Sequence, residues 1–224
     1  MLLASEIELF LTDNGAYDVG FARIEDGPPG LSYAISVVVP LSDAVLDEID
    51  DGPTHTYFHH YRTVNALIDR ILLQTGILLQ KNGYRYMPVP ASQTIHYGPG
   101  PRSHRGLYSH KKAAVLAGLG TIGKSALFLH RKLGPRVRLG TLFTDCPLPV
   151  RGGIMPYRCE HCSACVDACP AKAIRGESWQ PGLEREALVD AHACNDYMRA
   201  HFMGIGRGAV CGICVKICPM GRAR

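Results

Sequence analysis

Nine cysteines occur in this 224-residue chain; seven of them lie in two spaced runs near its C-terminus and an eighth lies between the runs. The first run is Cys159-x-x-Cys162-x-x-Cys165-x-x-x-Cys169-Pro170; the second is Cys211-x-x-Cys214-x-x-x-Cys218-Pro219, and Cys194 stands alone between them. In the two-cluster iron–sulfur pattern with the first spacing, three thiolates hold one cluster and the cysteine before proline reaches the other. Applied here, Cys159, Cys162 and Cys165 take Cys218 as fourth ligand. Cys169 joins Cys211 and Cys214, which leaves that set one thiolate short, and Cys194 completes it. Two 4Fe–4S clusters use eight cysteines and leave Cys146 over.

Other uses of these thiols explain less. Paired C-x-x-C units hold zinc in many proteins, but zinc accounts for neither the two Cys-Pro endings nor the interlocked count. A disulfide framework needs an oxidising compartment. The Met1–Phe10 segment is short and carries Glu6 and Glu8, so it does not read as a signal peptide. Cys146 reads as a buried structural residue, the common fate of a free cysteine.

The length suits one medium domain and a small one, and 46% hydrophobic residues supply a core. No apolar run approaches the roughly 18–20 residues that span a bilayer, so the expectation is a cytoplasmic protein with no membrane partner. The formal charge of +4 counts cysteines as neutral. An oxidised cubane with its four thiolates carries about −2, so two of them bring the chain near zero. With the basic residues dispersed, nucleic acid ranks last among partners.

Upstream, helices and strands alternate without a strict βαβ rhythm. Glu6–Asn14 reads as a short amphipathic helix, Tyr17–Ile24 and Ser32–Pro40 as strands about the Gly27-Pro28-Pro29-Gly30 turn, and His55–Asn82 as a long helix closed by Gly83. A strand at Tyr84–Val89, a loop over Ala91–Gly106 broken by Gly98 to Pro101, a helix at Lys111–Ala117 and strands at Ser125–His130 and Val137–Thr144 complete the unit. This predicts an α+β fold, an α/β sandwich over residues 1–150, with the cluster region at 151–224.

Gly118-Leu119-Gly120-Thr121-Ile122-Gly123-Lys124-Ser125 satisfies both a dinucleotide fingerprint and a P-loop on paper. Both need a strand before the loop and a helix after it. Here the alanine-rich Lys111–Ala117 favours helix and Ala126–His130 favours strand, so the order is reversed. Two readings remain: backbone brought close to a large ligand with its amide donors exposed, or a tight connection between helix and strand.

The Ala117–Ser125 segment resembles the A-G-L-G-W-I-G-K-N segment of epoxyqueuosine reductases and their relatives. Gly140-Thr-Leu-Phe-Thr-Asp145 followed by Pro147-Leu148 is similar to that family's strand ending in T-D-x-P-L, and the eight cysteines follow in the family's order from there to Pro219. The resemblance implies the architecture shared with reductive dehalogenases: a nitroreductase-like domain holding cobalamin or another corrinoid, followed by a bacterial-type two-cluster ferredoxin domain. Electrons from a low-potential donor such as ferredoxin or flavodoxin would pass through the clusters to the corrinoid, which acts on a small-molecule or cofactor substrate. It implies corrin-binding roles for Gly118, Leu119, Gly120, Thr121, Ile122, Gly123 and Lys124, with His110 and Lys111 against substrate or corrin amides.

The chain departs from the family at three points. It stops six residues after Cys218, so the expectation is that the C-terminal helical-repeat domain is missing. Thr121 replaces the motif's tryptophan. The position of the family's catalytic aspartate falls near His104, and no Asp or Glu occurs from Ala91 to Phe143. A reductive step needs a proton donor, and His104 and then Tyr108 are the candidates; a histidine here could instead ligate cobalt. His59-His60-Tyr61 is read as surface or core. The alternatives are an electron-transfer protein that reduces a cofactor on a partner and has none of its own beyond the clusters, or the same fold with a flavin in the pocket.

Overall fold

The computed structural model of the chain describes residues 2–95, 103–206, 208 and 210–221. The part of the expected loop containing Gly98, Pro99, Gly100 and Pro101 lies outside the described residues. By packing, the chain divides into two compact units. The first comprises residues 1–40, 64–119 and 138–155; the second comprises 41–63, 120–137 and 156–224. A boundary near residue 150 was expected; the last crossing between units is at Met155, and two earlier segments join the cysteine-bearing residues.

The first unit is built on a four-stranded sheet in the order β1-β2-β6-β3, with β1 Asp18–Arg23, β2 Tyr33–Pro40, β3 Tyr86–Val89 and β6 Val137–Thr144. Strands β1 and β2 pair antiparallel, with Asp18 opposite Val38, and β3 pairs antiparallel with β6, with Tyr86 opposite Thr144. The central strands are buried on both faces: Ala34 to Val39 and Leu139 to Thr144 are almost entirely inaccessible. Continuous apolar runs of this kind mark a sheet covered on two sides.

Helix α1 (Leu2–Asp13) buries Ala4, Ile7 and Leu11, and α4 (His110–Leu116) buries Ala113, Ala114 and Val115. The long α3 (His55–Lys81) contributes residues from Val64 onward to this unit. Val64, Ile68, Ile71, Leu72, Thr75 and Leu79 form its buried stripe at helical spacing; each large aliphatic there contributes roughly 1.5–3 kcal/mol. Gly140 of β6 permits this approach, since a Cβ there would lie 2.4 Å from Ile68 Cγ2. The helix stops as its sequence dictates. Gly83 takes φ +84, its N–H bonds Gln80 O, and Tyr84 N–H bonds Leu79 O, the paired pattern that a glycine past a helix end allows.

The second unit holds helix α2 (Asp43–Asp47), a hairpin of β4 (Gly120–Ile122) and β5 (Phe128–His130), and the cysteine-bearing helices α5 (Ala164–Asp167), α6 (Arg185–Leu188), α7 (Ala191–Phe202) and α8 (Ile213–Ile217). Strand β5 starts three residues later than expected because Ala126 sits at φ +57 in the hairpin turn, where its N–H bonds Gly123 O. Among the described residues no helix is long and apolar enough to cross a membrane.

Candidate functional site

The cysteines are positioned by short helices. Helix α5 carries Cys165, and Cys169 follows just beyond its end; helix α8 carries Cys214 and is capped by Cys218. Helices α5 and α8 pack together. Cys194 lies in the first turn of α7, whose N-cap Asp190 accepts hydrogen bonds from the amides of His192 and Ala193 at 3.0 and 2.9 Å. This cap costs about 1 kcal/mol to remove and fixes the lone cysteine in place.

The thiols fall into two groups of neighbours. Burial, then the nearby Cys159, Cys218 and Cys162, push the Cys165 thiol up to about 11. Burial, then Cys211 and Cys169, push the Cys194 thiol up to about 11. Cys214 is raised by burial first and then by Cys211, Cys194, Cys165 and Cys169. Helices α5 and α8 each hold one cysteine within the helix and a second at or just beyond its C-terminal end, Cys165 with Cys169 and Cys214 with Cys218.

The free thiols are the donors that an iron–sulfur cluster takes. Gly123 leaves room that a Cβ would fill, 3.1 Å from Cys159 Sγ. The Tyr157 hydroxyl is buried without a close hydrogen-bond partner, with Ser178 and Cys159 as its polar neighbours. Among the described residues no three His, Cys, Asp or Glu side chains converge as ligands of a single ion. Thiolates around one zinc stand about 2.3 Å from it; those of a cubane each bind a different iron and stand further apart.

The glycine motif does not form an open loop. Gly118, at φ +72, has its Cβ face against Gly152, 2.7 Å from the Cα. Gly120, Thr121 and Ile122 form β4, and a Cβ on Gly120 would lie 2.1 Å from Leu129 O. Leu119, Thr121 and Ile122 are buried, and Thr121 Oγ1 has no hydrogen-bond partner. Lys124 Nζ donates to Glu160 O at 2.7 Å and Cys162 O at 3.1 Å. The helix-before, strand-after order that argued against nucleotide motifs is the order found.

The loop-to-helix candidates sit in the first unit. His110 opens α4 with both ring nitrogens engaged: Nε2 donates to Pro90 O at 3.1 Å, and Nδ1 accepts from the Thr141 hydroxyl at 2.9 Å. Burial holds its pKa below the usual value. His110 thus anchors the helix to β6. Lys111 is the next residue of α4 and is half-buried. His104 takes φ +51, a left-handed conformation that histidine tolerates better than most. Tyr108 packs edge-on against Phe143, ring centroids 4.9 Å apart, and its hydroxyl donates to Asp26 Oδ1 at 3.0 Å. Asp26 Oδ2 also pairs with Lys112 Nζ. Burial first, then the Asp26 hydrogen bond and charge, raise the Tyr108 phenol well above its usual value. Lys112 first, against some burial, and then Tyr108 hold the Asp26 carboxyl below its usual range.

Asp26 is the acid that sequence reading missed. It comes from the β1–β2 turn, and no local signal ties it to Tyr108. Cys146 is buried, and burial raises its thiol.

Residues 158–221 match a family described as a 4Fe-4S double cluster binding domain. Over 122 residues the chain is 37% identical to an epoxyqueuosine reductase of Pseudomonas aeruginosa, covering 50% of this chain and 31% of that protein. It is 33% identical to the epoxyqueuosine reductase of Vibrio cholerae over 225 residues, covering 93% of this chain and 51% of that one. A tetrachloroethene reductive dehalogenase of Desulfitobacterium hafniense is 32% identical over 49% of this chain and 21% of its own.

The chain is a relative of the epoxyqueuosine reductases and reductive dehalogenases.

It spans about half or less of the length of these relatives. The fold is shared with solved members of both groups. One is a reductive dehalogenase studied for B12-dependent dehalogenation, with TM-score 0.74, 19% identity, and coverage of 97% of this chain and 31% of that one. Another is the epoxyqueuosine reductase of Streptococcus thermophilus, with TM-score 0.66, 16% identity, and coverage of 100% and 67%. These relatives are reductases, hence oxidoreductases, and the chain shares its mixed helix-and-sheet fold with the solved structures.

Proposed function

We propose that this chain is a cytoplasmic iron–sulfur oxidoreductase. Its eight cysteines pass electrons from a low-potential donor, through two 4Fe–4S clusters, to a corrinoid held by a nitroreductase-like N-terminal domain, for reduction of a small-molecule or cofactor substrate. The observation that carries the reading is the match of residues 158–221, which contain all eight of these cysteines, to a 4Fe-4S double cluster binding domain. The proposed ligand sets are Cys159, Cys162, Cys165 and Cys218, and Cys169, Cys194, Cys211 and Cys214. A bound corrinoid supplies a low-potential cobalt centre able to reduce a carbon substrate. Thr121 Oγ1, buried and unpartnered, is the polar group of the glycine motif suited to a ligand. Tyr108 is the proposed proton donor, its hydroxyl oriented by Asp26, which Lys112 in turn holds. His104 is the second candidate. Lys111 is left to contact substrate or corrin amides.

A second reading, an electron carrier with no cofactor beyond its clusters, is favoured by the glycines whose Cβ faces meet protein atoms. Anaerobic reconstitution of the full chain with iron, sulfide and hydroxocobalamin separates the two. The first reading expects about eight irons per chain, co-eluting corrinoid, and a corrinoid spectrum that changes on reduction. Clusters that cycle while no corrinoid is retained support the carrier. Flavin fluorescence after denaturation of protein from its own host would put a flavin in the pocket instead.

A further inference from the structure

Gly123 and Lys124 of the glycine motif touch the loop that bears the first cysteines of the run. Lys124 Nζ donates to the carbonyls of Glu160 and Cys162 at 2.7 and 3.1 Å. Both carbonyls belong to a turn closed by Cys162 N–H on Cys159 O at 2.7 Å. Within it Glu160 sits at φ +24, a conformation that an L-residue keeps only when its surroundings impose it. The lysine supplies that restraint by bonding the turn from both sides of His161. Next to it, a Cβ at Gly123 would stand 2.9 Å from Leu129 Cδ1 and 3.1 Å from Cys159 Sγ. The same cysteine neighbours the buried Tyr157 hydroxyl.

We propose that Gly123 and Lys124 are positioning residues for the first iron–sulfur cluster rather than part of a phosphate or corrin cradle, and that Lys124 raises the reduction potential of that cluster. This rests on the reading that Cys159, Cys162, Cys165 and Cys218 hold a cluster. Reduction adds a negative charge to an already anionic centre. A fixed cation bonded to the ligand loop therefore stabilises the reduced form over the oxidised one. Gly123 acts sterically: a side chain there crowds both Leu129 and the Cys159 sulfur. Each of the two residues has its own physical reason to be what it is. The lysine needs reach and charge, and the glycine needs absence.

The test compares the anaerobically reconstituted full chain with Lys124→Met, Lys124→Arg and Gly123→Ala. Dithionite-poised redox titrations followed by electron paramagnetic resonance, iron analysis and retention of hydroxocobalamin give three independent readouts. In Lys124→Met one of the two midpoints moves to more negative potential, the other stays, and Lys124→Arg restores the first. Hydroxocobalamin retention equals that of the wild type. If Lys124→Met does not hold its full iron, loss of one cluster alone, recovered in Lys124→Arg, supports the proposal. Gly123→Ala is expected to perturb the signal of that same cluster and leave the second unchanged. The proposal is overturned by unmoved midpoints in Lys124→Met, by lost hydroxocobalamin retention with unmoved midpoints, or by equal loss of both clusters in Lys124→Met and Lys124→Arg. About four irons in the wild type, instead of about eight, overturns the two-cluster reading; the role of Lys124 then stands or falls on whether the single midpoint moves.

Discussion

Tyr108 Oη donates a 3.0 Å hydrogen bond to Asp26 Oδ1, across 82 positions of sequence. The β1–β2 turn thereby supplies a carboxylate to a stretch of chain, Ala91 to Phe143, that contains none of its own. The Tyr108 phenol is raised by burial first and by Asp26 second. In Asp26→Asn the charge is lost and the burial stays. The Tyr108 ionisation midpoint therefore falls but remains above the ordinary value of about 10. A difference ultraviolet titration against Tyr108→Phe measures it, and an unchanged midpoint would count against the pairing.

Two histidines make stability pH-dependent in the same direction. Burial lowers the pKa of His110, and burial followed by His59 lowers that of His60, whose Nε2 accepts the Ser42 amide at 3.0 Å. For each, the unfolded chain binds a proton more readily than the folded one. Stability is thus complete above the unfolded value near 6.5 and declines as pH falls below it toward the folded values, by at most about 1.4 kcal/mol per pH unit for each group. Melting temperatures between about pH 7.5 and 5.5 should fall for the wild type and fall less steeply for His110→Gln.

Cys194→Ser should remove one cluster and spare the other, because the proposed set places Cys194 with Cys169, Cys211 and Cys214, and Cys211 and Cys169 are among the groups that raise its thiol. Iron would drop to about half, with one paramagnetic signal retained. Cys146→Ala, at a buried thiol, should leave iron unchanged and cost on the order of 1 kcal/mol in stability.

Glycine substitutions should separate crowding from backbone strain. In Gly120→Ala the new Cβ meets the Leu129 carbonyl at 2.1 Å, inside the hairpin, where neither side can yield. A loss above about 3 kcal/mol, or insoluble expression, is expected. Gly83→Ala meets nothing within 4 Å and strains only its φ of +84. Its cost should be about 1–2 kcal/mol, read from urea midpoints.

What could be read in the sequence was local. Helix α3 announced itself through a proline-free stretch with an apolar stripe at helical spacing, and its end through Gly83. The double-cluster region was legible because its cysteine spacing is set over single helical turns, as in Cys165 with Cys169 and Cys214 with Cys218. Strand β4 was not legible: three residues become a strand only by pairing with Phe128–His130. Nor could the partners of Lys124, which lie 36 and 38 positions further on, be inferred from the motif around it. The same holds for Asp26 and Tyr108. Composition and periodicity carry no record of pairings made through space.

The second unit draws on three separate stretches of chain, one of them the segment 120–137 that bears Gly123 and Lys124. Cutting the gene before the first cysteine would therefore yield a fragment lacking the hairpin that abuts Cys159. Electron-transfer modules are often treated as cassettes to be grafted behind a new partner. Here such a graft must carry residues 41–63 and 120–137 along with 156–224, which makes this unit a poor cassette and ties its inheritance to that of the whole chain.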